Sequence, residues 1–303
     1  MRILITSDGS RASEDAARFA ALIAAPLHAE ATVLGIEEGQ GEGSLAETLQ
    51  RIQAHLKEKE VNAEVVILRG HPLEEILRIA QEPPGYDLVV IGGSRQRRGR
   101  AFVLIGKALR IIRQVDPPVL LVLGPRTTLH RILLLSGGSR YNRHSIDLAG
   151  KIAHAASAQV TLLHVLPGPP PIFAGLIRME EDLDRLLRSS SREGRILKSE
   201  KEALERTGAA ITAKLRHGDL IEEVFKEVHL GDYDLLVAGS CPEEGAIRIY
   251  VLGDLARELL NRADCPVLIA REEREERVSL LGALGNLIGR LLGGIARRPK
   301  PEA

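Results

Sequence analysis

Four arginines, Arg95, Arg97, Arg98 and Arg100, crowd the stretch GGSRQRRGRAFVLIGKAL at residues 92–109. Gly92 and Gly93 stand before them, and Gly106 and Lys107 follow. Glycine lets a backbone come close to a ligand. A helix N-terminus offers uncommitted N–H groups to an anion, and guanidinium groups pair with phosphate oxygens. Residues of these types suit a phosphate cradle; the same residues also suit a solvated basic turn. A second candidate stretch is Thr6-Ser7-Asp8-Gly9-Ser10. The Asp8 carboxylate can accept hydrogen bonds from a base or a sugar hydroxyl, or else begin or cap the helix that follows. A third is Gly35-Ile36-Glu37, where the backbone at Ile36 could meet the edge of a flat base.

Other chemistries find little support. Gly106-Lys107 resembles the end of a P-loop, but that motif needs glycine at Ala101 and a hydroxyl residue at Ala108. The sequence has no HExxH, no GxSxG and no clustered metal-ligand pattern. No catalytic residue and no protein-held metal are expected, and at most weak nucleotide hydrolysis. His164 reads as a structural residue within a strand, and Cys265 as a small hydrophobe. Cys241 and Cys265 are the only cysteines and form no CxxC pair, which argues against a disulfide framework and fits a cytoplasmic protein. Forty-one basic residues balance 41 acidic ones, so a general nucleic-acid binder is not expected. The N-terminus MRILITSDGS enters a strand directly and is not expected to be a signal peptide. No apolar run reaches the ~20 residues of a membrane span.

The candidate residues all lie where strands are expected to end. RILITS, EATVLGI, AEVVILRG, YDLVVIGG and PPVLLVLG are short apolar runs, and helical stripes separate them. Phe102, Ile105, Leu109 and Ile112 mark the last of these helices. Strands alternating with helices give an α/β fold with a parallel sheet covered on both faces. Ligands of such sheets bind beyond the carboxyl ends of the strands. The pattern then repeats. RILITSDGSR at Arg2 returns as RILLLSGGSR at Arg131 (131 − 2 = 129), and YDLVVIGG at Tyr86 returns as YDLLVAGS at Tyr233 (233 − 86 = 147). The difference, 147 − 129 = 18 residues, is an insertion in the second copy near residues 167–194, read as a Pro-rich loop followed by extra helix. With 3% aromatics among 44% apolar residues, the cores must be aliphatic. The last strands, residues 118–122 and 266–270, are apolar and would otherwise be exposed edges, so the two copies are expected to pair through them.

ILITSDGS, YDLVVIGG, Gly106 at the entry to the last helix and DPPVLLV resemble the universal stress protein family. The second copy adds ILLLSGGS, TLLHV, YDLLVAGS and ADCPVLIA, and the whole resembles the tandem two-domain members. The resemblance implies two doubly wound, five-stranded parallel-sheet domains of flavodoxin-like or Rossmann-like build, at residues 1–125 and 130–272. It further implies a stress-related regulatory protein that binds an adenine nucleotide such as ATP. Carried onto this sequence, the binding residues are Asp8, Gly9, Ile36, Gly92, Gly93, Arg95, Gly106 and Lys107. Nucleotide-binding members carry Gly, two residues, Gly, nine residues, Gly, then Ser or Thr. Counted from Gly92 or from Gly93, the second glycine falls on Arg95 or Gln96, and the hydroxyl position is Lys107. Lysine can stand in as a point charge on phosphate. The second copy has Gly137 at the aspartate position; around its loop Pro242 removes an N–H donor, and Glu243, Glu244 and Asp254 would repel phosphate. It reads as a half without nucleotide.

Residues 273–303 form a charged linker, REEREER, and a tail. Leu280, Leu281, Leu284, Leu287, Ile288, Leu291, Leu292 and Ile295 keep the spacing of one helical face, with glycines off it. Such an amphipathic helix can lie on an anionic membrane surface, pack on a protein partner or a second copy, or dock on its own domain. Hence a second functional reading stays open: an interaction scaffold that binds no nucleotide and acts through its surface and tail.

Overall fold

The structure, a computed structural model, describes residues 1–37, 44–93, 100–136, 143–168, 183–240 and 248–271. The first copy forms β1 (Arg2–Ser7), α1 (Arg11–Ala24), β2 (Glu30–Glu37), α2 (Ser44–Glu58), β3 (Ala63–Arg69), α3 (Pro72–Gln81), β4 (Leu88–Gly93), α4 (Arg100–Gln114) and β5 (Val119–Leu123). The second forms β6 (Arg131–Leu135), α5 (Arg143–Ala156), β7 (Gln159–Leu166), α6 (Leu183–Arg188), α7 (Arg192–Glu205), β8 (Ala210–His217), α8 (Leu220–Gly231), β9 (Leu235–Ser240), α9 (Arg248–Arg262) and β10 (Val267–Arg271). Strand and helix alternate in both, as the apolar patterning requires. The short α6 is the helix that the insertion adds, and it packs on α7 and β8.

All ten strands join one sheet in the order β3-β2-β1-β4-β5-β10-β9-β6-β7-β8. Each copy keeps the same internal order and is parallel throughout. The junction is antiparallel, with Val267 opposite Leu121, Leu268 opposite Leu120 and Ile269 opposite Val119. The two expected edges therefore close on each other. The physical reason is plain: these six side chains are buried, and unpaired strands this apolar would invite aggregation.

Side chains alternate between the faces of the sheet. On one face Ile3, Ile5, Val33 and Val90 meet Phe19 and Ile23 of α1 and Leu49 and Ile52 of α2; the same core continues through Ile132, Leu134 and Leu162. On the other, Leu4, Val89 and Ile91 meet Ile76 of α3 and Ile111 of α4, and that core continues through Leu133, Leu236 and Leu259. Shared cores make residues 1–272 one compact unit. Residues 273–303, which carry the charged linker and the amphipathic stripe, lie outside the described residues.

The repeated RIL and YDL motifs turn out to be one device. Asp87 accepts a hydrogen bond from the backbone N–H of Arg2 at 2.6 Å, and the Arg2 guanidinium lies 4.9 Å from the centre of the Tyr86 ring. In the second copy Asp234 accepts from the N–H groups of His130 and Arg131 at 2.7 and 3.0 Å and from the Thr128 hydroxyl at 2.7 Å. Arg131 covers Tyr233 at 5.3 Å. Each Asp thus fixes the start of the strand that opens its copy. Burial opposes ionisation of Asp234, but the hydrogen bonds from Thr128, His130 and Arg131 outweigh it and hold the carboxyl below its usual range.

The second copy also buries a carboxylate. Glu227 of α8 is 0% exposed. It accepts from Lys214 and Tyr233 at 2.6 Å each and from Arg216 at 2.6 and 3.0 Å, which ties α8 to β8. Burial again opposes the charge, and the three partners together hold the carboxyl below its ordinary 4.5. Burial and the Glu227 hydrogen bond push the Tyr233 phenol up to about 12.

Candidate functional site

In the first copy the chain leaves β1 toward β2 on one side and leaves β4 toward β5 on the other. The crevice between the carboxyl ends of β1 and β4 is therefore the topological switch point, where parallel sheets bind ligands. Asp8 stands at its rim, one residue beyond β1. Its side chain is exposed, and Oδ1 accepts from the Ser10 N–H at 3.0 Å. Oδ2 has no partner among the described residues.

Asp8 is not the helix cap. Ser10 is: its Oγ accepts from the Ser13 N–H at 3.3 Å. The Ser13 hydroxyl donates to the Ser10 carbonyl at 2.7 Å, so the Ser7 hydroxyl, 2.9 Å away, donates to Ser13. The Gly9 N–H donates to Ser7 at 3.2 Å. Thr48 of α2 donates to the Gly9 carbonyl at 3.0 Å. Gly9 has φ +78°, and a β carbon there would sit 3.1 Å from the Leu45 Cα, so only glycine suits this turn. Capping is done by serine and threonine hydroxyls, which leaves the Asp8 carboxylate on a fixed turn with an oxygen to spare. This hydroxyl lattice was legible as a run of Ser and Thr around Asp8, but its partners, one of them 39 residues away, were not.

The remaining candidates are placed as follows. Ile36 is buried in the core on the α3 side, so toward a ligand it offers backbone rather than side chain. Gly93 ends β4 and is buried. Gly92 has a packing role: a β carbon there would lie 2.4 Å from the Ala12 carbonyl oxygen and 2.7 Å from the Ser13 Cα. The first turn of α1 rests directly on β4 because residue 92 has no side chain. Arg95, Arg97 and Arg98 fall at residues 94–99, outside the described residues.

Gly106 differs from expectation. The sequence places it at the entry of the last helix, but α4 already begins at Arg100. Gly106 lies in the helix interior and is exposed, with nothing within 4 Å of where a β carbon would stand. Leu109 and Ile112 beyond it pack into the core of that face and hold the helix, against the modest cost of about 1 kcal/mol for a mid-helix glycine. Only the first four N–H groups of a helix are uncommitted. The end of α4 with uncommitted N–H groups is therefore Arg100–Val103, and Lys107 lies beyond it.

In the second copy Gly239 and Ser240 end β9, while Gly137 and residues 241–247 lie outside the described residues. Cys265 is buried just before β10, as expected of a small hydrophobe. Among the described residues no three His, Cys, Asp or Glu side chains group around a metal position, and no helix is long and apolar enough to cross a membrane.

The model of the universal stress protein family matches residues 1–122 and again residues 128–271. The chain belongs to the universal stress protein family. A universal stress protein of Methanocaldococcus jannaschii is 26% identical over 146 residues, 48% of this chain and 84% of that protein. The Bacillus subtilis universal stress protein YxiE is 24% identical over 149 residues, 47% of this chain and 99% of that protein. Each matches about one copy of the repeat. Among solved structures, a universal stress protein from Archaeoglobus fulgidus superposes with a TM-score of 0.64 at 14% identity, over 89% of this chain and 98% of that one. A protein of unknown function from Pseudomonas aeruginosa gives 0.63 at 16% identity, over 95% and 97%. At these identities the two structures speak for the fold alone, a universal stress fold in tandem.

Proposed function

We propose that this universal stress protein binds one adenine nucleotide, ATP in the first place, in the crevice of residues 1–125 and acts as a cytoplasmic regulatory protein. The observation that carries the reading is Asp8: an exposed carboxylate with an uncommitted oxygen, held at the switch point by a turn that Ser7, Ser10, Ser13 and Thr48 fix. Its role is to accept from a sugar hydroxyl or a base. The backbone at Ile36 meets the base edge, and Gly9 and Gly93 let the backbone come close to the nucleotide. The N-terminus of α4 with Arg95 receives the phosphates, and Lys107 adds charge from further along the helix. The second half, residues 130–272, serves as a structural partner without nucleotide, in keeping with Gly137, Pro242, Glu243 and Glu244 in its loops.

A scaffold that binds no nucleotide is the competing reading, and two placements favour it. Gly92 is committed to packing, and Gly106 lies inside a helix. Mass spectrometry of small molecules released from the purified full chain separates the two. An adenine nucleotide, present in the wild type and lost with Asp8→Ala, supports binding. No released nucleotide together with no heat on titration with ATP leaves the scaffold.

A further inference from the structure

The second half places a different set of side chains at the carboxyl ends of its strands. Ser136 follows β6 where Ser7 ends β1, and His164 occupies β7 where Gly35 occupies β2, both at the offset of 129. In the first half a β carbon at Gly35 would lie 2.6 Å from Leu49 of α2. In the second half an imidazole fills that layer beneath α7.

Ser136 Oγ lies 2.5 Å from Glu200 Oε2 and 2.8 Å from His164 Nδ1. The serine proton goes to the carboxylate of Glu200, so the serine oxygen accepts from His164 Nδ1–H. The serine stands between the imidazole and the carboxylate, which is the wrong order for an activated nucleophile: the histidine cannot take a proton that points at Glu200. The order has another consequence. It fixes the tautomer of His164 and leaves the lone pair on Nε2. His164 is 7% exposed, and Nε2 is buried without a hydrogen-bond partner. His217 Nδ1 is likewise buried without one.

The two imidazoles share a face. Leu166 of β7 pairs with His217 of β8, and His164 is two residues before Leu166, so all three side chains leave the same side of the sheet. Diagonal neighbours of this kind are within reach of one another for ring-sized groups. Their proximity is also felt electrostatically: burial lowers the pKa of His164 most, Glu193 opposes it, and His217 adds a smaller lowering. A histidine whose Nδ1–H is tethered toward a carboxylate, with a bare Nε2 lone pair, has the arrangement that metal-ligating histidines adopt.

We infer that His164 Nε2 and His217 Nδ1 form a two-histidine site for a borderline divalent transition-metal ion, zinc above all, in the second half of the chain. Imidazole nitrogens suit zinc, copper and nickel, whereas magnesium and calcium take oxygen ligands. Among the described residues no third ligand joins the pair. Solvent then completes the coordination, and the bound ion is exchangeable, unlike the closed four-ligand sites of structural zinc.

The test is thermal unfolding of the untagged, metal-stripped full chain with zinc chloride, with magnesium chloride as control. Zinc is expected to raise Tm in proportion to the logarithm of its concentration once the site is saturated, and magnesium to leave it unchanged. His164→Gln and His217→Gln are each expected to abolish the rise. Ser136→Ala, which frees the imidazole from its tether, is expected to require about tenfold more zinc for the same rise. His217 is only partly buried, so its variant decides the matter even if His164→Gln fails to fold. No zinc-dependent rise in the wild type, or a rise that persists at full size in His217→Gln, overturns the inference.

Discussion

Replacing Gly92 with alanine separates packing from ligand binding. The added β carbon would stand 2.4 Å from the Ala12 carbonyl oxygen, and carbon contacts below 3.0 Å essentially do not occur, so α1 must recede by at least 3.0 − 2.4 = 0.6 Å. The obstructing atoms are backbone, and no rotamer change can clear them. Receding also loosens Phe19, Ala20 and Ile23, all 0% exposed. Overpacking of this kind costs about 1–3 kcal/mol, and rigid backbone atoms put this case near the top. Alanine in a strand returns about 0.5–1 kcal/mol of the conformational entropy that glycine loses. A net loss of about 2 kcal/mol follows, which lowers Tm by about 4–8 °C in a unit of this size. Differential scanning calorimetry reads the shift, and titration with ATP at 15 °C reads binding by the molecules that remain folded. A variant with wild-type Tm and no ATP binding would refute the packing argument and return Gly92 to the phosphate site.

Other substitutions have equally definite outcomes. Gly106→Ala, in an exposed helix interior, is expected to stabilise the chain by about 0.5–1 kcal/mol and to leave ATP binding intact; urea denaturation and calorimetry check both. Glu227→Gln is expected to cost about 3 kcal/mol at pH 7, the low end for a broken buried pair, because Lys214 remains 43% exposed and can hydrate. The folded-state pKa of Glu227 lies below 4.5, so its contribution is complete above 4.5 and is lost as pH falls through the folded value. Urea denaturation of wild type and variant from pH 7 to 3 should therefore show the gap closing only below 4.5. Asp234→Ala removes three hydrogen bonds that fix the start of β6 and is expected to cost about 2 kcal/mol, read by the same denaturation.

What the sequence revealed depended on the range of the interactions concerned. Alternating apolar runs and the offset repeat can be read directly from the sequence, and they suffice for the succession of strands and helices, for a parallel sheet in each copy and, through the edge argument, for the closing of β5 on β10. The expected pairing of residues 118–122 with 266–270 is met to within a residue. Asp8 was legible as a residue at a strand end, but the choice of Ser10 over Asp8 as cap depends on φ and ψ at the turn and on Thr48 reaching across from α2. Gly92 and Gly106 carry the same letter and opposite meanings. One is set by the approach of α1 from 80 residues earlier in sequence, the other only by the continuity of an apolar stripe through it. The Ser136, His164 and Glu200 arrangement was hidden for the same reason: its members come from β6, β7 and α7 and share no motif.

The most direct test is isothermal titration of ATP into the full chain and into Asp8→Ala, a surface change that leaves the cores untouched. The expected result is binding of one nucleotide per chain in the wild type and a loss of roughly tenfold or more in affinity for the variant, as follows from a hydrogen bond to a charged group worth about 1.5–3 kcal/mol. No binding by the wild type, two nucleotides per chain, or equal affinity in the two proteins would contradict a single nucleotide site built around Asp8.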